Sequence, residues 1–300
     1  MASYAFLTPS YSGDLERFLL LRESIQRFFH ESCNHYVVVP REDRHSFERC
    51  ADSGVQVLVQ EDFVPKYYYP TQGYRILSRL LPKAHKWRFH HLGGRPGWIT
   101  QQVVKISAPE IVPTADAVVI IDSDVVFMRH FSSVDLHLID DPVLVRITPQ
   151  SESAKQREHF EKARQILQLP SGPTEHHYMG WPAIWYREWI LAMRKYIENL
   201  HGIKWQRVLY DHGVFSEYTI YGTFIEEILR PEKLKILETP FHHLIWDETS
   251  YEIFRSGHAE IPAEKLAVTI QSNIKIDPSE YRELVYQYWS GLASNTMGTP

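Results

Sequence analysis

Cysteine is nearly absent from this 300-residue chain: Cys33 and Cys50 are the only two, in no metal-binding or redox spacing. That excludes a disulfide framework of several bridges and points to a reducing compartment. A basic excess is also missing. The formal net charge is -5, which argues against nucleic acid as a partner. No window approaches the ~18–20 apolar residues of a membrane span. The opening MASYAFLTPS shows no basic region followed by an apolar stretch. Together these absences predict a cytoplasmic protein, with at most peripheral contact with a membrane. The sixteen histidines contain no HExxH and no Cys/His ligand spacing, so a zinc enzyme is poorly supported. Internal repeats and low-complexity segments are absent too.

What is present reads as an ordinary globular α/β chain. YAFLTP (4–9) is strand-like and is stopped by Pro9. Ser12-Gly13-Asp14 offers helix caps, and Leu15, Phe18, Leu19, Ile25 and Phe29 follow at helical spacing. HYVVVP (35–40) and VQVLVQ (55–60) are further strands, separated by a charged, helix-compatible stretch. Strand, helix, strand, helix, strand is the opening of a parallel, doubly wound sheet. GWITQQVVKISA (97–108) places Ile99, Val103 and Ile106 on one helical face, and Pro109 limits its continuation. AVVIIDSDVVFM (117–128) reads as the fourth core strand.

Beyond it, PVLVRIT (142–148), GWPAIWY (180–186) and KLAVTIQ (265–271) are strand candidates. Helices are expected over 154–168, Glu188–Leu200 and within 213–229. A final helix carries Tyr281, Leu284, Val285, Tyr288 and Trp289, closed by Gly291. The expected organisation is one domain over 1–290, followed by a flexible tail over 291–300.

One long segment lacks acids altogether. From Phe63 to Ala108 there is no Asp or Glu, while Lys66, Arg75, Arg79, Lys83, Lys86, Arg88, Arg95 and Lys105 lie within it. Such a stretch suits either a lid that draws in an anionic ligand or a solvated insertion touching anionic lipid.

The most informative feature is Asp122-Ser123-Asp124 inside the apolar run VVIIDSDVVF. Charge in a sheet interior is costly unless something positive meets it. Side chains at i and i+2 of an extended chain share a face, and ligands of open α/β sheets gather at the carboxyl ends of the strands. Two carboxylates there suit Mn²⁺ or Mg²⁺ holding a diphosphate. The plainer alternative is a strand that ends in an acidic turn. Glu217, in an apolar and aromatic stretch that could raise its pKa, is a candidate general base, with Asp211 as its rival; either also reads as an ordinary helix-start carboxylate.

VVIIDSDVVF resembles the DxD strand of GT-A glycosyltransferases, the nucleotide-sugar-dependent enzymes with a Rossmann-like core. Other segments fall in the family's order. AFLTPSYSGDLERFLLLRESI is similar to the first strand and helix around the nucleotide base. ITQQVVKISAPEIV resembles the helix that presents a basic residue to the donor. HHYMGWPAIWYRE resembles the segment where acceptor meets donor sugar, with Met179-Gly180-Trp181 in place of an asparagine form. DHGVFSEYTIYG is similar to a later acidic motif, and a bacterial branch of such transferases pairs a DSD strand with SEY-x-x-YG.

The resemblance implies a GT-A-like, Rossmann-type mixed and mostly parallel sheet flanked by helices. It implies a nucleoside diphosphate sugar as donor, Mn²⁺ or Mg²⁺ as cofactor, and a saccharide or glycolipid acceptor, with a role in polysaccharide or glycoconjugate biosynthesis. Residues 1–128 would bind the donor and 129–290 the acceptor. In the family pattern the last DxD acid binds metal, here Asp124, while Asp122 is a metal ligand or ribose partner, with Ser123 between them. Thr8, Tyr11 and Asp14 are placed for base and ribose, Asp14 reading equally as a helix cap. Lys105, with Arg95 behind it, is the candidate diphosphate contact, unless it lies on a solvated helix face. A late histidine, His242, His243 or His258, would complete the metal shell. Gly180 and Trp181 would meet the acceptor, and Trp185, Tyr186 and Trp246 offer further flat faces for sugar rings or simply belong to the core.

Two other classes compete. A nucleotidyltransferase also joins such a core to acidic ligands, but TPSYSGD offers one glycine and no lysine where a glycine-rich basic loop is expected. A carbohydrate-binding or inactive transferase-like subunit would bind glycan without nucleotide.

Overall fold

A computed structural model describes residues 3–51, 54–65, 96–148, 153–172, 176–257, 259 and 261–296. Its centre is a five-stranded sheet in the order β3-β2-β1-β4-β7. The strands are β1 (Tyr4–Pro9), β2 (Asn34–Val39), β3 (Val55–Val59), β4 (Ala117–Ile120) and, after the short β5 (Val125–Phe127) and β6 (Val143–Val145), β7 (Ala183–Tyr186). All neighbours pair in parallel except β4 and β7. This is the mixed, mostly parallel α/β sheet that the sequence predicts. From β1 the chain steps outward through β2 to β3, then returns to the other side of β1 as β4. The switch point therefore lies between the carboxyl ends of β1 and β4, where open α/β sheets leave a crevice.

Strand alternation divides the interior into two cores. Ala5 and Leu7 of β1 and Val118 and Ile120 of β4 enter one core. Phe6, Ala117 and Val119 enter the other. Each fully buried aliphatic side chain contributes roughly 1.5–3 kcal/mol relative to exposure. The first core is covered by α3 (Pro96–Ile106), α6 (Arg187–His201), α7 (Trp205–His212) and α8 (Glu217–Thr223), which continues as a π-helix over Phe224–Leu229.

The second core is covered by α1 (Leu15–Phe28) and by a three-stranded sheet, β5-β10-β9, built with β9 (His242–Ile245) and β10 (Ala267–Ile270). Tyr281, Val285 and Trp289 of the last helix, α10 (Pro278–Thr296), close it. Phe18, Leu21, Ile25 and Phe28 recur along α1 at helical spacing, and all are buried. The Ser24 hydroxyl accepts the Phe127 N–H at 3.0 Å, tying α1 to β5. The other named elements are α2 (Arg44–Glu48), α4 (Ala108–Ile111), α5 (Ala154–Ile166), β8 (Lys235–Leu237) paired with β6, and α9 (Glu248–Arg255).

Two expectations are corrected, the unbroken strand over 117–128 and the end of the last helix. Residues 117–128 are not one strand: β4 ends at Ile120 and β5 starts at Val125 in a different sheet, antiparallel to β10. Burying both aspartates within one ladder would leave their charges in a sheet interior, and the chain instead turns there, Val125 N–H donating to the Asp122 carbonyl at 3.2 Å. Helical structure in 213–229 begins only at Glu217, because the Ser216 hydroxyl caps it by accepting the Thr219 N–H. Helix α7, β8 and β9 carry no clear periodic signal and appear only in three dimensions. Finally, α10 runs through Gly291 to Thr296, so Gly291 does not close it.

Most of the acid-free stretch, including Arg95, lies outside the described residues. No helix among the described residues is long and apolar enough to cross a membrane.

Candidate active site

The ends of β1 and β4, the carboxyl ends of β9 and β10, and helices α3, α5 and α8 surround an open pocket of ≈ 210 Å³. Asp14, Asp122, Ser123, Asp124, Lys105, Glu217 and Trp181 all line it.

Asp122 follows Ile120 by two residues, and the strand's parity carries it to the α3 side. There the Lys105 ammonium stands 2.7 Å from Asp122 Oδ1 and 2.9 Å from Glu217 Oε1. Lys105 also donates to the Tyr218 hydroxyl at 3.0 Å and lies 4.7 Å from the centre of its ring. At 5 % exposure Lys105 belongs to the buried interior and not to a solvated helix face. Burial alone would lower its pKa, but Asp122 and Glu217 raise it well above the lysine range, so it remains an ammonium ion.

Glu217 opens α8 and is buried. Its backbone N–H donates to Gln102 Oε1 at 3.2 Å. Desolvation pushes its carboxyl up, and the charge and hydrogen bond of Lys105 pull it back; the net direction is upward. The Tyr218 hydroxyl accepts a further hydrogen bond from Trp181 Nε1 at 2.9 Å, which fixes the indole in the pocket wall.

Asp124 has a different environment. Its Oδ1 is buried with no hydrogen-bond partner among the described residues. Burial pushes its pKa up to about 7, and the neighbouring charges of Asp122 and Asp14 push the same way, against a hydrogen bond from the Ser272 backbone. Asp14 is likewise raised by burial, against its ion pair with Arg17 at 2.9 Å. Carboxylates crowded around an unmet oxygen form a site deficient in positive charge. A divalent cation with oxygen ligands fits that deficit. Among the described residues no three His, Cys, Asp or Glu side chains form a closed ligand set. A cation here would therefore share its shell with water and phosphate oxygens, as Mg²⁺ commonly does.

A family model matches residues 6–292, nearly the whole chain. The chain belongs to DUF6492, a family of unknown function. No curated protein matches this DUF6492 chain. Among solved structures it is similar to the galactosyltransferase LgtC in complex with donor and acceptor sugar analogs, at 12% identity, covering 94% of this chain and 95% of that one, with a TM-score of 0.49. It is also similar to the apo form of mouse xyloside xylosyltransferase 1, at 11% identity, covering 91% and 99% respectively, with a TM-score of 0.46.

Several residues expected at the site lie elsewhere in this DUF6492 chain. Asp211 sits on α7, half exposed, in an ion pair with Arg207 at 2.7 Å, and does not line the pocket. It lies six positions before Glu217 in sequence, but a break between two helices falls between them. Thr8 is fully buried beneath the sheet end, within 2.9 Å of His35 Nε2. Tyr11 is exposed, its ring lying over Gly13, and is not in the pocket wall.

His242 is also outside the wall: its Nδ1 is 3.0 Å from Thr269 Oγ1, and its ring stacks on Trp181. Burial lowers it to about 3, so it is a neutral core histidine. Its neighbour His243 is half-buried on β9, and His258 lies outside the described residues. Gly180 has a packing role, since a Cβ there would come within 2.9 Å of Val145, while its neighbours Met179 and Trp181 line the pocket. Trp185 is buried, stacked on Tyr221, and the Tyr186 hydroxyl accepts the Val143 backbone N–H at 2.9 Å. Trp246, half exposed, does line the pocket.

Among the pocket-lining residues that sequence reasoning did not single out are Trp98, Gln101 and Gln102 of α3 and Lys155 and His159 of α5. A signal existed: Trp98, Gln102 and Lys105 recur at i, i+4, i+7, a second stripe beside the apolar one.

Proposed function

We propose that this DUF6492 chain is a metal-dependent glycosyltransferase that moves a sugar from a nucleoside diphosphate sugar to a hydroxyl acceptor. The observation that carries the reading is Asp124: a buried carboxylate oxygen without a partner, beside Asp122 and Asp14, at the sheet's switch point. Asp124 and Asp122 would hold Mn²⁺ or Mg²⁺ together with the donor's diphosphate. A bound divalent cation supplies charge to offset the leaving diphosphate. Lys105 stands beside Asp122 as the protein's own cation for the same task.

In this reading Glu217 takes the proton of the attacking acceptor hydroxyl. Lys105 pulls its carboxyl back toward the ionised form, and a diphosphate competing for the ammonium would make Glu217 the stronger base. Trp181, locked by Tyr218, offers a flat face to a sugar ring. The N-terminal half through Met128 is the donor side and the remainder the acceptor side.

The test is calorimetry with UDP, GDP, ADP and dTDP, each with and without Mn²⁺, followed by a screen for nucleoside diphosphate release. Mn²⁺-dependent binding of one of them that is lost in Asp124→Asn is the expected result. Glycan binding with no nucleotide binding would replace the transferase by a carbohydrate-binding module.

A further inference from the structure

The pocket contains a second polar feature that the metal, the diphosphate and the base leave unused. Lys155 and His159 stand one turn apart on α5, at i and i+4, and both line the pocket. His159 is 3 % exposed, and neither of its ring nitrogens has a hydrogen-bond partner among the described residues. Its ring stacks on Trp98, with centroids 6.1 Å apart, which fixes it in the wall. Two orphaned nitrogens on one buried ring are costly unless a ligand meets them.

Lys155 differs from the pocket's other lysine. Lys105 is neutralised by Asp122 and Glu217, whereas Lys155 makes no ion pair among the described residues. Burial and the nearby Lys155 charge lower His159 to about 4, so its ring is neutral and offers one N–H donor and one acceptor. An ammonium and an N–H close together, in the opening turns of a helix, form a receptor for an oxyanion. Helix α5 packs against α8, which carries Glu217, so this wall adjoins the proposed base.

We infer that Lys155 and His159 form an oxyanion subsite that receives a phosphate or carboxylate carried by the acceptor. This rests on the transferase reading only for the word acceptor; the subsite itself is testable without nucleotide.

The experiment is calorimetry of the full chain with glucose, glucose 6-phosphate and glucuronate, in wild type and Lys155→Met, with no nucleotide or metal present. One charge-assisted hydrogen bond corresponds to about a tenfold or greater advantage of a charged sugar over glucose. Lys155→Met, on an exposed position, should fold normally and erase that advantage. The stronger of the two charged sugars identifies phosphate or carboxylate as the group received. Equal binding of all three sugars, or no detectable binding of either charged one, overturns the subsite. A parallel titration of both proteins with the nucleoside diphosphates and Mn²⁺ separates the two claims. If Lys155→Met weakens that binding by the same factor, Lys155 belongs to the donor's diphosphate and the proposal falls. If no nucleotide binds while the charged-sugar preference holds, the transferase reading fails and the oxyanion subsite stands.

Discussion

Helix α8 and its π-helical continuation separate two polar clusters that obey opposite rules. At the far end, Glu226 accepts from Arg146 at 2.9 Å and from the Tyr178 hydroxyl at 2.6 Å, with His176 3.3 Å away. Burial would raise the Glu226 carboxyl, but these hydrogen bonds and charges hold it below its ordinary value. Both its oxygens are occupied. At the near end, Asp124 keeps an unmet oxygen and a pKa pushed up to about 7. Both clusters are built from acids, bases and tyrosines in one fold. One has every oxygen met and reads as structure; the other leaves a buried oxygen unmet, the observation on which the proposed site rests.

Four substitutions would break or sharpen this contrast. The largest effect is expected from Asp124→Asn, which should abolish Mn²⁺-dependent nucleotide binding and yet raise the melting temperature of the metal-free protein at pH 8. The folded chain holds the Asp124 proton up to about 7, while an unfolded chain releases it near 3.8. The unfolded state thus binds fewer protons across that interval, and metal-free stability falls as pH rises through it. The advantage of the asparagine variant should shrink toward pH 4. A melting temperature at pH 8 below that of wild type would contradict the contrast.

Lys105→Met should cost about 3–5 kcal/mol in denaturant unfolding, because it strands the buried Glu217 carboxylate next to the partly exposed Asp122. The double variant Lys105→Met/Glu217→Leu should recover part of that loss, since it removes one of the stranded charges; no recovery would mean the lysine acts by packing alone. Next is Gly222→Ala. A Cβ there would sit 2.1 Å from the Tyr178 ring, so roughly 1–3 kcal/mol of overpacking is expected in the same measurement. The smallest change belongs to Glu226→Gln, about 1 kcal/mol of stability with Mn²⁺-dependent nucleotide binding unchanged. A loss of that binding would erase the distinction between the clusters.

Proton release offers a complementary measurement. A cation that binds ionised Asp124 must displace its proton below pH 7, so Mn²⁺ affinity should rise with pH up to about 7 and level off beyond. Calorimetry in buffers of different ionisation enthalpy reads that proton directly. A flat profile between pH 5 and 8 would remove Asp124 from the metal's shell.

The first three strands, α1 and α3 were legible because their periods are clean: alternate residues for the sheet, three and four for the helices. The Asp122-Ser123-Asp124 interruption was legible as chemistry, because charge inside an apolar run demands an explanation. Its geometry was not. Extended spacing predicts two carboxylates on one strand face, whereas the chain turns between them and delivers one to Lys105 and the other toward Ser272. Such a turn depends on which sheet β5 joins, and that pairing with β10 spans well over a hundred residues. The same long range hid Lys155 and His159, whose helix has no link to the aspartates in sequence. Asp211 lies outside the pocket wall for the converse reason: closeness along the chain does not survive the break between α7 and α8.

The link between β4 and β5 has a mechanical consequence. Because its two ends belong to different sheets, Asp122 to Asp124 is a seam, and each side of that seam is stitched to a separate ladder. A ligand gripping both aspartates would act as a rivet across it. Its binding energy would then be felt as far away as β9, and backbone amides of the three-stranded sheet should exchange with solvent more slowly once the rivet is in place.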